Sequence, residues 1–392
     1  HSFPGPNRSP ASYSEQLQDP LYGGGAETLF IGEEAGRLIA ACQLHPLRQW
    51  LTGVSYPCAG VGTVAISPTH RKRGLAAELI TAALRAARER GDLVSALYPF
   101  RVSFYRKLGY GDAGAALQYQ IPPETLPDSP ERSRVAVLDT DHERGEALRL
   151  YSRWICSQTG QIERTERMWT YSCTQSGRAL VGYRARNDQL EGYALVTYCA
   201  GLPPSERYLE VNELVWTTTE ARRGLYAWLA SLGDQWRQLL IRALPSQNLG
   251  DWLREPRLPL GAAPLWGLWM PAATLLLGPM FRIVHLQAAW EQRRVAPEPS
   301  LAVTLEITDQ NLEENSGTWH LAFDHGRVSV APNGQSNATI RMDISTLSRL
   351  LIGSLTTANG LAAGLLECDR PDVLPRLDAL IAVPEPWMYD RF

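Results

Sequence analysis

The sequence predicts an α/β (α+β) chain of three domains, the first two built to one plan and the third a separate α/β domain. Three observations predict this. The chain has 392 residues; at roughly 100–200 residues per domain, that asks for two to four cores. Strand-like runs alternate with amphipathic helical stretches along most of its length. A strand, a basic turn ending in glycine and a helix also occur twice in the same order. Val61–Ser67 leads into Arg71-Lys72-Arg73-Gly74-Leu75, and Glu210–Trp216 leads into Ala221-Arg222-Arg223-Gly224-Leu225. A repeat spacing of about 150 residues is a duplicated domain, since solenoid periods are shorter. The boundaries read as 1–128, 129–281 and 282–392.

In the first segment, Glu27–Gly32 and Arg37–Leu47 read as a hairpin around the turn-rich Glu33-Glu34-Ala35-Gly36. Val61–Ser67 is a β-branched run stopped by Pro68. From Gly74 to Arg90, apolar residues at Leu75, Leu79, Ala82, Ala83, Ala86 and Ala87 make a helical stripe that Gly91 ends. Val94–Tyr98 is a strand, Val102–Leu108 a short helix and Gln118–Ile121 a strand ahead of a proline-rich linker. Ahead of this hairpin only Ser12–Leu17 hints at a helix end. In the second segment, Glu143–Gln158 and Ala221–Trp236 read as helices, and Leu180–Arg184, Tyr193–Tyr198 and Tyr208–Trp216 as strands. In the third, Leu301–Ile307, Gly317–Phe323, Arg327–Ala331 and Ala338–Asp343 read as strands, and Ile344–Leu351 and Pro375–Ile381 as helices.

Composition narrows the function classes. A formal net charge of −3 gives no electrostatic reason to expect a nucleic-acid partner. No charge occurs from Leu258 to Phe281, a length that would span a bilayer. Pro259, Pro264, Pro271 and Pro279 prevent one continuous helix there. The stretch reads instead as short strands, Leu265–Met270 and Thr274–Leu277, and no membrane partner is expected. The six cysteines form no Cys-x-x-Cys pair and lack metal-site spacing. They read as small buried residues of a cytoplasmic protein, and no metal is expected.

The chemistry concentrates between Val61 and Tyr110. A strand running through Pro68 into Arg71-Lys72-Arg73-Gly74-Leu75-Ala76 and then a helix makes an anion cradle. Amides at a helix start lack partners, and the macrodipole favours negative charge there. Gly74 lets backbone approach a phosphate with no Cβ between. A solvated basic turn ahead of a surface helix would carry the same composition. A second motif, Ser103-Phe104-Tyr105-Arg106-Lys107-Leu108-Gly109-Tyr110, follows the next strand.

Together these two motifs resemble the GNAT family of N-acetyltransferases. Arg71, Gly74 and Ala76 fill its Arg/Gln-x-x-Gly-x-Gly/Ala signature, and Tyr105 its Phe-Tyr-x-x-x-Gly-Phe/Tyr motif. The run Val64–Gly74, the ending Tyr389-Asp390-Arg391-Phe392 and the three-part organisation resemble the enhanced intracellular survival (Eis) type. There, two tandem GNAT-like mixed-sheet domains precede a sterol-carrier-like α/β domain. The resemblance implies acetyl-CoA as cosubstrate and transfer to a primary amine by direct attack on the thioester. It implies that Val64, Ala65 and Ile66 hold the acyl-pantetheine, and that Arg71, Lys72, Arg73, Gly74, Leu75, Ala76 and Ala77 wrap the diphosphate. Phe100 and Arg101 fall at further coenzyme contacts, in a bulkier loop than the family's small polar one. Tyr105 takes the general-acid position and the Phe392 α-carboxylate the general-base position. A small-molecule or lysine-type amine acceptor and a homo-oligomer, such as a hexamer, are implied as partners.

The implied roles meet chemical limits. An α-carboxyl with a pKa of about 3.5 is a weak base toward an ammonium near 10.4. Its larger contribution is expected to be attraction and orientation of the cationic amine. The second half lacks a Phe-Tyr-x-x-x-Gly motif before Pro245, so it is expected to bind no coenzyme. Its tryptophans Trp154, Trp169, Trp216, Trp228 and Trp236 are expected in the core. Two rival readings are a lipid or acyl-carrier protein resting on the third segment, and an assembly module with a decayed catalytic half. A carrier needs a wide apolar tunnel, and the third segment shows no apolar excess.

Overall fold

A computed structural model of the chain describes residues 25–200, 207–254 and 272–392. The expected strand Leu265–Met270 and the helix hint Ser12–Leu17 lie outside the described residues. The chain is α/β, with three mixed sheets. Among the described residues no helix is long and apolar enough to cross a membrane.

One compact unit combines the chain up to Gly114 with Gln158–Glu163 and Gly278–Phe392. Its first sheet starts with β1 (Leu29–Glu34), β2 (Arg37–Leu51) and β3 (Val54–Ile66), a meander turned at Ala35 and Gly36, both at positive φ. Helix α1 (Leu75–Arg90) follows, then β4 (Val94–Leu97), helix α2 (Val102–Arg106) and β5 (Gly111–Asp112). α1 buries Leu79, Ile80, Ala83, Leu84 and Ala87, the stripe expected of a helix lying on a sheet. It ends where Gly91, at φ 91°, returns its amide to the Ala87 and Arg88 carbonyls.

Later chain completes this sheet, in an order adjacency along the sequence does not suggest. β8 (Thr159–Ile162) pairs with β2, and β14 (Met280–Ile283) inserts between β4 and β5. Beyond it come helix α6 (Leu286–Glu291) and a five-stranded sheet. That sheet orders β17 (Arg327–Ala331), β16 (Gly317–Asp324), β15 (Leu301–Thr308), β18 (Thr339–Asp343) and β19 (Leu366–Cys368). Helices α7 (Ile344–Ile352), α8 (Thr357–Ala362) and α9 (Leu374–Ile381) belong to the same segment. α7 is capped by the Asp343 carboxylate, which accepts from the Thr346 amide at 2.7 Å.

The other unit comprises Ala115–Ser157 and Arg164–Leu277. Its sheet orders β13 (Thr274–Leu277), β6 (Ala115–Ile121), β12 (Gln238–Ala243), β11 (Tyr208–Trp216), β10 (Leu190–Cys199), β9 (Arg178–Arg184) and β7 (Val135–Val137). Its helices are α3 (Asp141–Trp154), α4 (Glu166–Thr174) and α5 (Thr219–Ala230). The duplication shows in the pairing. Each of the first two sheets holds one parallel pair, β3 with β4 and β11 with β12, and the strand of each pair that comes first leads into the helix.

Candidate active site

The basic turn is open. After β3, Lys72 and Gly74 both take positive φ, 63° and 86°. That conformation is costly for lysine and nearly free for glycine. α1 begins at Leu75 with Gly74 as its N-cap and no side-chain cap. The Ala77 and Glu78 amides fold back to the Gly74 carbonyl at 2.9 and 3.2 Å. The Leu75 and Ala76 amides precede the first possible intrahelical bond and point out of the helix start. A Cβ on Gly74 would meet nothing nearer than the flexible Glu78 carboxylate at 3.6 Å. Arg71 and Lys72 are exposed and form no ion pair among the described residues. Arg73 is committed elsewhere: its guanidinium donates to Glu34 at 2.7 and 3.2 Å. His70 Nε2 lies 3.0 Å from the same carboxylate. Arg73 and His70 therefore fasten the turn to β1, and the adjacent Arg73 guanidinium holds the Glu34 carboxyl below its usual range. A diphosphate fits this turn: it offers free amides, positive charge and no Cβ at the closest approach.

A splayed pair of strands leads to the turn. β3 and β4 pair in parallel only from Cys58–Val94 to Gly60–Ala96, while β3 continues to Ile66. The Ser67 amide donates to the Ile39 carbonyl of β2 at 2.8 Å. By strand alternation the Ile66 and Val64 amides face the other way, toward the gap. An extended amide-bearing ligand fits as an added strand there. Val64, Ala65 and Ile66 are half-buried along it.

Tyr105 sits on α2 and is 3% exposed. It belongs to the apolar cluster of Cys42, Ala59, Val61 and Leu97, against which Val64, Ile66, Leu75 and Ala77 pack. The structure thus brings the phenol together with the strand and helix start chosen from sequence. Its ring meets Phe104 and Phe100 edge-on at 5.0 and 5.3 Å. Among the described residues no group hydrogen-bonds its hydroxyl, so that donor is available. Burial pushes the phenol up to about 12, so it stays protonated at neutral pH. Phe100 is 67% exposed and stacks on Phe104 at 5.6 Å. Arg101 is exposed at the start of α2. These two lie at the rim of the site, and Tyr105 lies inside it.

The chain end returns to the same sheet. Trp387 donates its amide to the Thr159 carbonyl at 2.9 Å, and Met388 is buried. The Tyr98 hydroxyl donates to the Asp390 carbonyl at 2.8 Å and lies 3.2 Å from that of Met388. Phe392 then lies over Gly60 and Gly62. A Cβ on Gly60 would meet the Phe392 ring at 2.9 Å. One on Gly62 would meet His45 Nε2 at 2.8 Å and the Phe392 carboxyl carbon at 3.4 Å. Two glycines two apart in a strand share a face, and here that face is a slot for the last residue. His45, 4% exposed and edge-on to the Phe392 ring at 5.8 Å, is a site neighbour that sequence reasoning missed. The Gly60-Val61-Gly62 pattern inside a strand was a signal of close approach.

The second copy of the basic turn forms no such cradle among the described residues. α5 starts at Thr219, and the Thr218 hydroxyl caps it by accepting from the Ala221 amide at 3.2 Å. Arg222-Arg223-Gly224 therefore lie within the helix, where the Arg222 amide bonds the Thr218 carbonyl at 3.2 Å. A Cβ on Gly224 would strike Tyr183 at 2.6 Å. The Arg222 guanidinium sits over the rings of Trp252, Trp216 and Tyr226 at 4.3, 4.7 and 5.2 Å, held by aromatic faces. Trp169 and Trp236 are buried, and Trp216 and Trp228 pack against the core.

Comparison with known proteins finds GNAT and sterol-carrier domains along this chain. Residues 3–113 and 160–283 each match a family of acetyltransferase (GNAT) domains. Residues 286–389 match the sterol carrier protein domain. The N-acetyltransferase Eis of Mycobacterium tuberculosis is 28% identical over 347 residues, which cover 85% of this chain and 80% of that protein. The fold matches a GCN5-related N-acetyltransferase from Anabaena variabilis with a TM-score of 0.82, at 21% identity over 98% of this chain and 94% of that one. It also matches Eis1 from Mycobacterium abscessus, TM-score 0.76, at 21% identity over 93% and 90%.

Proposed function

The chain belongs to the GNAT N-acetyltransferases of the Eis type, and from that premise we propose that its first half moves an acetyl group from acetyl-CoA to a primary amine. Bound acetyl-CoA supplies a thioester carbonyl and a thiolate leaving group. The Val64 and Ile66 amides hold the acyl-pantetheine along the open edge of β3. Arg71, Lys72 and the amides of Gly74, Leu75 and Ala76 hold the diphosphate, with Arg73 fixing the turn through Glu34 and the Ala77 amide closing the first turn on the Gly74 carbonyl. The amine attacks the thioester directly, and Tyr105 donates its hydroxyl proton toward the departing sulfur. The Phe392 carboxylate attracts the cationic amine and accepts its proton, directly or through water.

The observation that carries this reading is the contrast between the two copies of the basic turn: open and uncapped at Gly74, and in the second copy absorbed into a helix that Thr218 caps, with its glycine packed against Tyr183. The same family points to a small-molecule or lysine-type acceptor and to a cytoplasmic homo-oligomer, such as a hexamer. The lipid-carrier reading is not favoured, because Leu301, Val303, Leu305, Leu347, Leu350, Leu377 and Leu380 fill the third domain's interior. The test is a panel of amines with acetyl-CoA, following thiol release, alongside calorimetry. We expect acetyl-CoA-dependent thiol release with at least one primary amine and one coenzyme bound per chain. Two coenzymes per chain, or no release across the panel, would refute the proposal.

A further inference from the structure

We infer that Asn311, in the third domain, is a positioning residue for acetyl transfer, because it ties the helix that carries Tyr105 to the helix that begins at the amide cradle. The inference rests on the Tyr105 role proposed above.

α2 is 5 residues long, too short to hold its own geometry. The Leu108, Gly109 and Tyr110 amides close the end of α2 on the Tyr105 and Arg106 carbonyls, and the next two carbonyls, of Lys107 and Leu108, are taken by donors from beyond residue 280. Asn311 Nδ2 donates to the Lys107 carbonyl at 3.1 Å, and an Arg282 guanidinium nitrogen donates to the Leu108 carbonyl. Both donors are held by one buried carboxylate. Arg282 bonds Asp309 through 2.8 and 2.6 Å contacts, and both side chains are fully buried. Asp309 Oδ1 also accepts the Asn311 and Leu312 amides at 3.0 and 3.1 Å. The backbone of Asn311 is thereby fixed.

The other end of the same amide points to α1. Thr81 Oγ1 donates to Asn311 Oδ1 at 3.3 Å. The amide's orientation follows from its partners: a carbonyl at Lys107 can only accept, so nitrogen faces it and oxygen faces Thr81. One side chain thus spans α1, whose first turn lines the cradle, and the C-terminal end of α2, whose phenol must meet the sulfur. The third domain, which contributes the chain end at Phe392, therefore also sets where Tyr105 stands. A displacement of about 1 Å in such a constellation can cost on the order of 10²-fold in rate. Loss of one tether, with Arg282 still in place, should cost less.

The experiment measures kcat, KM for acetyl-CoA and thermal melting for Asn311→Ala and Asn311→Asp, each in the wild-type and Tyr105→Phe backgrounds. Asn311→Ala should lower kcat about 5-fold, with KM and melting near wild type. Asn311→Asp should fall similarly, since a carboxylate cannot donate to the Lys107 carbonyl. In the Tyr105→Phe background neither should add a further loss, because residues acting through one group are not additive. Wild-type kcat in both Asn311 variants, or an equal loss in both backgrounds, would overturn the inference while leaving the Tyr105 role standing. Wild-type turnover of Tyr105→Phe alone would remove that role and the inference with it.

Discussion

Tyr105→Phe should lower kcat about 100-fold, the scale of losing one positioned donor at developing negative charge, and leave KM for acetyl-CoA within about twofold. The ring is retained, so the contacts with Phe100, Phe104 and Tyr110 persist and melting should not shift. Only the hydroxyl, which has no hydrogen-bond partner among the described residues, is removed. Burial sharpens the argument about its role. A phenol at about 12 is a weaker acid than an ordinary one near 10. Complete transfer to a thiolate at about 8.5 would be uphill by roughly 5 kcal/mol. A hydrogen bond to the developing thiolate is the more economical role. The sign for pH follows: because the shift is upward, the donor stays protonated through and beyond pH 10, and this residue should produce no alkaline decline below that. Steady-state kinetics across pH 6–10 check both statements, and turnover equal to wild type would remove the donor role.

Appending one glycine after Phe392 has a comparably large expected effect, a fall in kcat of about 100-fold with a raised KM for the amine. One residue moves the negative charge by about 3.5 Å and leaves an amide carbonyl where the carboxylate was. The anchors upstream are untouched: Met388 stays buried, and the bond from Tyr98 to the Asp390 carbonyl remains. A loss of activity with unchanged melting would therefore report on the charge. Undiminished kcat in the extended chain would show that the carboxylate does nothing in the reaction.

Much of the first half was legible because local pattern and tertiary role coincide there. The stripe from Leu75 to Ala87 gives the helix, and the structure starts it at Leu75 and ends it at Arg90. The strand before it is longer than its β-branched run. β3 begins at Val54, with Pro57, Gly60 and Gly62 inside, residues that read as breaks. A Cβ on Gly60 would strike Leu47 at 2.5 Å and Phe392 at 2.9 Å, and one on Gly62 would strike His45 at 2.8 Å, so part of the reason for these glycines lies more than 300 positions away. The repeated basic turn was legible as sequence, but its two copies have different structures. Thr218 starts the second helix before Arg222, whereas Pro68 and the positive φ of Lys72 and Gly74 keep the first copy in a loop. Thr159–Ile162 has no strand signature of its own; the sequence pattern runs the preceding helix to Gln158, while the helix ends at Trp154 and the strand forms by pairing with β2. The path of the tail, the position of His45 beside it and the Asp309 hub depend on partners far along the chain, and no local periodicity encodes them.

The central claim is that the amides and charges from Arg71 to Ala76 grip a diphosphate and aim a thioester at Tyr105. A crystal structure of the chain with coenzyme A tests it most directly. The account predicts the diphosphate on the Gly74–Ala76 amides, the pantetheine along Val64–Ile66 and the sulfur within hydrogen-bonding reach, about 3.5 Å, of the Tyr105 hydroxyl. Coenzyme bound at the start of the second helix, or a sulfur far from that hydroxyl, would contradict it.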